Sequence, residues 1–345
     1  MEIVIASTIV PFIEGGGTFI VDWLEEALVS RGHSVFTLRI PFHSDYQQMA
    51  EQMLGLRLLD IRDYGERLIT IRPPSYLLRH PNKVIWFIHH HRTAYDLWDS
   101  PYREFPDNAE GLAYRNLIFN ADMTAFREAR KIFTNSAVVA RRLKYFNDVE
   151  GEILYPPLMN PERYTCRSYG DYILYVSRLV HHKRQHLAIE SMRYVNSGVK
   201  LVLAGRCEDS IYRDELYHLI AKYDLHEKVV LIDGWLSEDR KLELFADCLA
   251  AIYIPLDEDS YGYPSLEAYA AEKPVITTVD AGGTSELIQS GVNGLITEPE
   301  PVQIAMAMDT LFANRERAQE MGLAGKQRIR DLGICWDRLV ERLLQ

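Results

Sequence analysis

The sequence predicts an α/β protein made of two successive doubly wound domains. Short apolar runs alternate with segments whose apolar residues recur at helical spacing, which is typical of parallel sheets covered by helices. A turn-rich passage at 155–161 interrupts this alternation, because adjacent prolines do not fit a central strand. The length of 345 residues suits about two domains. We expect an N-terminal domain at 1–160, a C-terminal domain at 161–326, and a helix at 327–345 that returns toward the first domain.

In the first half, the pattern predicts strands and, after the first of them, a helix. The strands are predicted at 3–6, 35–38, 68–71 and 84–88. The helix follows a run of three glycines, and its apolar residues share one face: Ile20, Trp23, Leu24, Ala27 and Leu28. Gly32 is expected to end this helix.

The second half repeats the alternation more regularly. Strands are predicted at 172–176, 199–204, 229–232, 250–254 and 275–279. An intervening helix presents one apolar face, formed by Tyr212, Leu216, Leu219, Ile220 and Tyr223. A further helix is predicted at 336–344. Two doubly wound domains are the simplest architecture that accommodates these elements.

Composition and charge exclude several classes of protein. With 47% hydrophobic and 25% charged residues, the chain has an ordinary globular composition. The formal charge of −11 argues against nucleic-acid binding as the main task. Four dispersed cysteines form no CxxC pair, so we expect neither a disulfide framework nor a zinc site. No apolar run is long enough for a bilayer and no secretory leader is recognised, so we expect a soluble, cytoplasmic protein.

The segment from Asp259 to Glu267 is the most informative passage. It follows a predicted strand, turns at Gly262, and enters a helix whose first turn contains Pro264. Backbone N–H groups and the positive end of the helix dipole would suit a phosphate there, and Glu267 could accept hydrogen bonds from sugar hydroxyls. The alternative interpretation is a solvated loop acid followed by an acid that the helix dipole favours.

A second segment in the same half, which is basic, also suits phosphate. The predicted strand at 172–176 leads into Ser177-Arg178-Leu179 and then into Lys183. Two cations just beyond the carboxyl end of a strand can hold a diphosphate, with Arg acting as a fork and Lys as a point charge. Taken alone, such a loop would be interpreted as solvated surface, as we interpret His181 and His182.

Together these two segments resemble the retaining glycosyltransferases of glycosyltransferase family 4, the glycosyl transferases group 1. The order and separation of the motifs agree, as do the later Gly282-Gly283 and Glu286, and the resemblance is strong over 172–296. It implies the GT-B fold, in which two Rossmann-like domains face each other across a cleft. It also implies a nucleotide-sugar donor held mainly by the second domain, with no metal or other cofactor required.

The resemblance also assigns roles to residues of the second half. Arg178 and Lys183 would neutralise the donor diphosphate, and Glu267 would bind the ribose. Asp259 and the backbone of the loop would face the sugar and its phosphate. The loop residues concerned are Ser260, Tyr261, Gly262 and Tyr263, and the base would lie near Arg206, Gly234, Trp235 and Leu236.

Two positions depart from the pattern of the family. Arg184 stands where many relatives carry glycine. Asp259 stands where the family has Glu, and its side chain reaches about 1.5 Å less far. Glu258 could supply the longer carboxylate but is out of register with Gly262. We keep Asp259 as the predicted catalytic acid.

Two features of the first half are further site predictions. The glycines Gly15, Gly16 and Gly17 precede a helix and could let backbone approach the donor phosphates or the acceptor, although such runs are often purely structural. His89 and His91 end a strand and project to one side of it. In relatives a strand-end histidine approaches the transferred sugar, so we predict His89 as catalytic and His91 as substrate-binding.

Neither histidines nor acids predict a metal site. His89 and His91 have no carboxylate or cysteine partner at ligand spacing. Residues 257–259 spell a DxD triplet, which holds a divalent metal in unrelated glycosyltransferases. Its place beside the glycine turn favours a metal-free site in which Arg178 and Lys183 supply the positive charge.

A basic segment at 127–144 could contact an anionic membrane surface. Its cations are Arg127, Arg130, Lys131, Arg141, Arg142 and Lys144. A peripheral position at the inner face of the membrane would bring the protein to a lipid-linked acceptor, whereas the competing interpretation is a solvated helix face.

We therefore predict transfer of a hexose-type sugar from a nucleoside-diphosphate sugar to a hydroxyl of a glycan, glycolipid or small-molecule acceptor, with the anomeric configuration retained. Two alternatives stay open. One is a nucleotide-sugar 2-epimerase on the same fold, and the other is a non-catalytic nucleotide-sugar or glycan-binding protein.

Overall fold

The computed structural model describes residues 1–10, 16–43, 45–100, 102–258 and 260–345, with the backbone alone at 16–18. The chain divides into two compact units. Unit 1 comprises Met1–Pro157 and Cys335–Gln345, and unit 2 comprises Leu158–Ile334. The change of unit after Pro157 falls in the proline-rich passage, and residues 327–334 remain in unit 2 instead of joining the returning segment.

Strands and helices alternate along both units. The strands are β1 (Glu2–Ile9), β2 (Ser34–Pro41), β3 (Arg67–Thr70), β4 (Lys83–Phe87), β5 (Lys131–Thr134), β6 (Glu152–Ile153), β7 (Tyr172–Val176), β8 (Lys200–Gly205), β9 (Val229–Asp233), β10 (Ala250–Ile252), β11 (Val275–Thr278) and β12 (Gly294–Thr297). The helices are α1 (Gly16–Val29), α2 (Tyr46–Leu58), α3 (Ala109–Arg127), α4 (Ala137–Asn147), α5 (Gln185–Ser191), α6 (Ser210–Lys222), α7 (Glu238–Asp247), α8 (Tyr263–Ala270), α9 (Pro301–Ala313), α10 (Arg315–Asp331) and α11 (Trp336–Leu344).

Each unit contains one parallel sheet. In unit 1 the strand order is β2-β1-β3-β4-β5-β6, and in unit 2 it is β12-β11-β10-β7-β8-β9. The strand pairs are parallel in both sheets. Each unit has its own buried apolar core. These are two doubly wound parallel α/β sheets, one in each unit, as predicted.

All the predicted strands overlap observed ones, and three observed strands were not predicted. These are β5, β6 and β12, which have four, two and four residues. Their apolar runs are too short to produce a clear periodic signal. The predicted helix also begins earlier than expected. Gly16 and Gly17 lie in the first turn of α1 and not in a preceding loop, while Gly15 lies outside the described residues.

The last helix of the chain completes unit 1. Four side chains of α11 are buried: Trp336, Leu339, Val340 and Leu343. The guanidinium of Arg67, at the start of β3, donates hydrogen bonds to the carbonyls of Leu343 at 2.7 Å and Leu344 at 3.1 Å. Of the helices described, none combines the length and apolar character needed to cross a bilayer.

Candidate functional site

The topology of unit 2 brings the two predicted phosphate segments together. From the centre of its sheet, β7, β8 and β9 run to one side and β10, β11 and β12 to the other, so the strand order reverses between β7 and β10. Ligands of open α/β sheets bind beyond the carboxyl ends of the strands at such a reversal. The segments that follow β7 and β10 meet there, because the N–H of Leu256 donates to the carbonyl of His182 at 2.8 Å.

Lys183 connects these two segments through its side chain. It follows β7 in a 3-10 turn, His181–Lys183, and its side chain is largely buried. Its Nζ donates to the Tyr253 hydroxyl at 2.7 Å and forms an ion pair with Glu258. The hydroxyl of Tyr175 in β7 holds the Lys183 carbonyl. Tyr253 and Glu258 therefore hold the ammonium, while Tyr175 holds the backbone of the same residue.

Tyr253 links Lys183 to the glycine turn. Its hydroxyl donates to Glu258 Oε2 at 3.1 Å. A Cβ at Gly262 would lie 2.1 Å from Cε1 of the Tyr253 ring, and Gly262 has φ +72°, so only glycine fits this turn without displacement. Burial raises the pKa of Tyr253, and the positive charge of Arg178 acts in the opposite direction. Arg178, Lys183 and the Gly262 turn therefore share one region of unit 2.

Arg184 has a structural role beside this region. Its φ of +57° lies in the left-handed region that glycine favours. The guanidinium binds Asp280 through two nitrogens, at 2.7 and 2.8 Å, and donates to the carbonyls of Ile254 and Pro255 at 2.7 Å each. Burial would raise the pKa of Asp280, but the bonds from Arg184 keep it below its ordinary value. Arg184 thus positions the chain that follows β10.

The glycine pair Gly282-Gly283 supports the same loop from the other side. A Cβ at Gly282 would lie 2.4 Å from the carbonyl oxygen of Glu258, and one at Gly283 would lie 2.8 Å from the carbonyl carbon of Ser260. The N–H of Gly283 donates to the Glu258 carbonyl at 2.8 Å. Both glycines are therefore needed for close backbone packing against the segment that leads to α8.

The loop before α8 presents backbone groups, more than side chains, for binding a ligand. The Tyr261 side chain is buried, at 1% exposure, and Ser260 Oγ accepts from the Gly262 N–H at 3.3 Å. Burial also raises the pKa of Tyr263. No described side chain caps α8, whose N-terminal residue is Tyr263 after Gly262. Asp259, the predicted catalytic acid, lies outside the described residues.

Glu267 is buried inside α8 and is held in place by two donors. The Tyr164 hydroxyl donates to Oε1 at 2.9 Å, and Lys241 Nζ donates to the same oxygen at 2.7 Å. Burial lowers the pKa of Lys241, but the charge of Glu267 and its hydrogen bond raise this pKa by more, so that it lies above the ordinary value. Lys241 is therefore held as a cation. A buried carboxylate with this support is preorganised as a hydrogen-bond acceptor.

The loops after β8 and β9 lie beside the loop after β7. The N–H of Leu179 donates to the carbonyl of Arg206 at 2.9 Å, and the N–H of Gly234 donates to the carbonyl of Gly205 at 3.1 Å. Arg206 is exposed, Trp235 is 70% exposed, and Leu236 is partly exposed. The residues predicted near the base therefore surround the same carboxyl edge of the unit 2 sheet.

The histidines of unit 1 form a separate group beyond β4. The strand ends at Phe87, so the simple alternation expected for His89 and His91 does not continue through them. His89 Nδ1 donates to the His90 carbonyl at 2.6 Å, and His91 Nε2 lies 3.1 Å from Thr93 Oγ1. Burial, assisted by the charge of His89, lowers the pKa of His91 to about 4, so His91 is neutral near pH 7.

The basic segment 127–144 is partly neutralised within unit 1. Lys131 pairs with Glu152 at 3.0 Å, and Arg142 lies 3.6 Å from Asp96. Lys144 pairs with Asp148 and Glu150, at 2.7 and 2.9 Å. These contacts satisfy three of the cations predicted to face a membrane and are equally compatible with a solvated face.

Apart from Asp259, the structure thus brings together the predicted residues of unit 2. Among the described residues, three that the sequence did not single out contact the Lys183 ammonium or the Glu267 carboxylate. These are Tyr253, Tyr164 and Lys241. Tyr253 follows β10 directly, so its position at a strand end was a usable signal. Tyr164 and Lys241 lie far from Glu267 in the chain, and only the folded unit brings them to it.

Comparisons with known proteins show which family unit 2 resembles. Residues 164–328 match the family model described as glycosyl transferases group 1. Human alpha-1,3/1,6-mannosyltransferase ALG2 is 26% identical over 219 residues, which cover 57% of this chain and 52% of that protein. A GDP-mannose-dependent alpha-(1-6)-phosphatidylinositol monomannoside mannosyltransferase of Mycobacterium tuberculosis H37Rv is 28% identical over 180 residues, covering 50% and 46%. The chain spans about half the length of these curated relatives.

Solved structures agree with the fold of the whole chain. Sucrose-phosphate synthase from Thermosynechococcus elongatus has a TM-score of 0.77 at 16% identity and covers 99% of this chain and 97% of its own. Anabaena HepE, solved with UDP and glucose, has a TM-score of 0.73 at 16% identity and covers 99% and 98%. The predicted GT-B fold is confirmed, and so is the resemblance to the group 1 enzymes drawn from the motifs of unit 2.

Proposed function

From the match of residues 164–328 to the glycosyl transferases group 1, we propose that the chain is a glycosyltransferase. It transfers a hexose-type sugar from a nucleoside-diphosphate sugar to a hydroxyl group of a glycan, glycolipid or small-molecule acceptor. The observation that carries this proposal is the meeting of Arg178, Lys183 and the Gly262 turn where the strand order of unit 2 reverses. Two cations and a helix N-terminus in one place suit a diphosphate.

The main chemical task in such a transfer is to stabilise the departing diphosphate. Its negative charge grows as the bond to the sugar breaks. The ammonium of Lys183 and the guanidinium of Arg178 counter that charge, and the N-terminus of α8 adds its dipole. Lys183 exchanges its pairing with Glu258 for the donor phosphate, while Tyr253 continues to hold its Nζ.

The remaining residues of unit 2 would bind the nucleoside. The two donors that hold Glu267 both reach Oε1, so Oε2 is the oxygen that would accept the ribose hydroxyls. The exposed indole of Trp235 and the loop at Arg206 would contact the base. Ser260 to Tyr263 would present backbone toward the sugar and its phosphate.

We also propose that the transfer is metal-independent and retains the anomeric configuration. Arg178 and Lys183 supply the positive charge that a divalent ion supplies in other transferases, and the donor phosphate itself helps to deprotonate the acceptor hydroxyl. Addition of EDTA is therefore expected to leave turnover largely intact. A loss of most activity that Mg²⁺ or Mn²⁺ restores would contradict this part of the proposal.

Mannose is the first sugar to test, because two of the relatives above are described as mannosyltransferases. A panel of UDP-, GDP- and dTDP-sugars should show a selective rise in melting temperature, since a bound ligand stabilises the folded state by mass action. Product analysis without an acceptor would distinguish a 2-epimerase, which needs none. Donor binding with neither transfer nor slow hydrolysis would indicate a binding protein.

The peripheral membrane position is part of the same proposal. The cations of 127–144 would contact the inner face of the membrane. There the protein would meet a lipid-linked acceptor. Co-sedimentation should then increase with the anionic lipid content of the liposomes. Equal recovery with neutral and anionic liposomes would contradict the membrane contact and leave the transfer reaction as proposed.

Replacement of the two cations tests the core of the proposal. We expect Arg178→Ala and Lys183→Ala each to reduce transfer by at least about 100-fold, because each removes charge stabilisation of the leaving group. Arg178 is exposed, so its variant should keep the wild-type melting temperature. Initial rates with the donor chosen from the panel give the measurement.

The matched control for these variants is Arg330→Ala, which removes an exposed arginine of the same unit on α10. It is expected to keep normal turnover. Near-normal transfer by both Arg178→Ala and Lys183→Ala, with folding verified by circular dichroism, would refute the assignment.

A further inference from the structure

Three potential metal ligands converge on the outer side of the segment that carries Lys183. They are His181 in the turn after β7, His186 in α5 and Glu215 in α6. One ligand atom from each lies within 4.8 Å of the other two. The two imidazole rings are nearly parallel, with an angle of 26° between them and centroids 4.7 Å apart. This cluster takes no part in the proposed transfer reaction.

A chain of hydrogen bonds fixes the orientation of His186. Gln185 Nε2 donates to the carbonyl of Arg178 at 2.9 Å and to Ser177 Oγ at 2.8 Å. A carbonyl can only accept, so the amide nitrogen of Gln185 faces Arg178 and its Oε1 must be the acceptor on the other side. The Tyr212 hydroxyl donates to that Oε1 at 3.0 Å.

The same chain fixes which nitrogen of His186 carries the proton. The only proton of the Tyr212 hydroxyl is used on Gln185, so its oxygen accepts from His186 Nδ1 at 3.1 Å. In the neutral ring the proton therefore lies on Nδ1, and Nε2 keeps its lone pair. Histidines that bind metals commonly use one nitrogen as ligand while the other donates to an orienting group. Tyr212 is such an orienting group.

We propose that His181, His186 and Glu215 form a binding site for a divalent transition-metal ion, with Zn²⁺ as the first to test. Two imidazoles and one carboxylate are a ligand set that zinc uses, with water in the fourth position. Magnesium and calcium prefer oxygen ligands and do not match it. Zinc bonds of about 2.0–2.2 Å place neighbouring ligand atoms roughly 3.3 Å apart, so the three ligand atoms, which lie within 4.8 Å of one another, would move closer when the ion binds.

The bound ion would tie the donor-site segment to α6. His181 and His186 flank Lys183, and Gln185, which orients Tyr212, also holds the carbonyl of Arg178. An ion between the two histidines and Glu215 would therefore restrict motion of the backbone at 177–186. This is a stabilising role, separate from the metal-free chemistry proposed for the transfer, so either proposal can fail without the other.

Zinc binding to the full chain tests the site directly. Isothermal titration with ZnCl₂ should show one strong site, and His181→Ala, His186→Ala and Glu215→Gln should each weaken it at least tenfold. His218→Ala removes an exposed histidine from the same helix as Glu215 and should leave the strong site unchanged. Because His186 is partly buried, the exposed His181 keeps the test valid if the His186 variant does not fold.

Two further readouts separate a built site from stray surface binding. Co²⁺ in place of Zn²⁺ should give the intense visible absorption of a tetrahedral ion, and zinc should slow amide hydrogen exchange at 177–186. Absence of a strong site in the wild-type chain would refute the proposal. So would equal zinc affinity of the wild type, His181→Ala and Glu215→Gln.

Discussion

At the scale of single residues, the contact between Lys183 and Glu258 is central to the proposed donor site. The ammonium is largely buried, and the carboxylate lies at the entrance to the loop before α8. Glu258 keeps the cation neutralised and oriented, together with Tyr253. In the proposed function, the diphosphate of a donor would compete with this carboxylate, so Glu258 would lower the affinity of the site for phosphate.

Replacement of this carboxylate tests the competition. We expect Glu258→Gln to strengthen binding of a nucleoside diphosphate by about 3- to 10-fold, because removal of a partly exposed ion pair is worth on the order of 1 kcal/mol. The dissociation constants can be measured by isothermal titration. Glu243→Gln, which removes an exposed carboxylate of α7, should leave the affinity unchanged. Equal or weaker binding by Glu258→Gln would contradict the competition.

The cations and the glycine turn of this site were predictable because strands precede them and the turn chemistry is specific. Arg178, Lys183 and Gly262 all lie in segments that follow strands, at the edge where parallel sheets place their ligands. The support of Glu267 was not predictable. Tyr164 and Lys241 are separated from it by 103 and 26 positions, and no local pattern encodes such contacts.

At the scale of elements, two glycines of α10 allow this helix to pack closely against α8 and against the residues that directly follow α8. A Cβ at Gly325 would lie 2.1 Å from the Tyr269 ring of α8. One at Gly322 would lie 1.9 Å from the Glu272 carbonyl oxygen. Because α8 carries Glu267 and begins at the donor loop, this packing fixes the helix that the proposed phosphate and ribose contacts use.

The packing predicts that Gly325→Ala lowers the stability of unit 2, whereas helix propensity alone would predict a gain in stability. Gly325→Ala should destabilise unit 2 by about 1–3 kcal/mol, because overlap with the Tyr269 ring outweighs the gain of about 1 kcal/mol from alanine in a helix. Gly55→Ala in α2, with no atom within 4 Å of the new Cβ, should instead stabilise unit 1. Urea denaturation gives both values. Stabilisation by Gly325→Ala would contradict the close packing.

The elements themselves were predictable wherever apolar runs were long enough. The strand Tyr172–Val176 and the helix Trp336–Leu344 have the predicted limits. The two residues of β6 carry no periodic signal, and Gly294 opens β12 with a residue that disfavours strands. The start of α1 was missed because consecutive glycines are typical of turns, whereas Gly16 and Gly17 are helical here.

At the scale of the whole molecule, the buried titratable groups of unit 1 have opposite effects on how its stability changes with pH. Burial raises the pKa of Asp122 to about 7, although the Tyr95 hydroxyl donates to its carboxylate at 2.7 Å. Burial lowers the pKa of His90 and of His91 to about 4 each. The histidines therefore make unit 1 more stable as pH rises from 4 to 6.5, while Asp122 makes it less stable as pH rises from 4 to 7.

Removal of Asp122 should expose the contribution of the histidines. Two histidines outweigh one aspartate, so the free energy of unfolding of the wild type should rise between pH 4.5 and 6.5. In Asp122→Asn the rise should be steeper by up to about 1.4 kcal/mol per pH unit, the value for one proton. Tryptophan fluorescence suits the measurement, since four of the five tryptophans lie in unit 1. An unchanged slope would contradict the raised pKa of Asp122.

The placement of α11 also bears on how the protein is made in the cell. A ribosome synthesises 1–157 first, but the apolar surface that Trp336, Leu339, Val340 and Leu343 cover stays exposed until 335–345 follow. Unit 2 is continuous in sequence and can fold before unit 1 is complete. The nascent chain thus exposes this apolar surface for the time needed to translate 158–334, and this interval is when chaperones would be needed most.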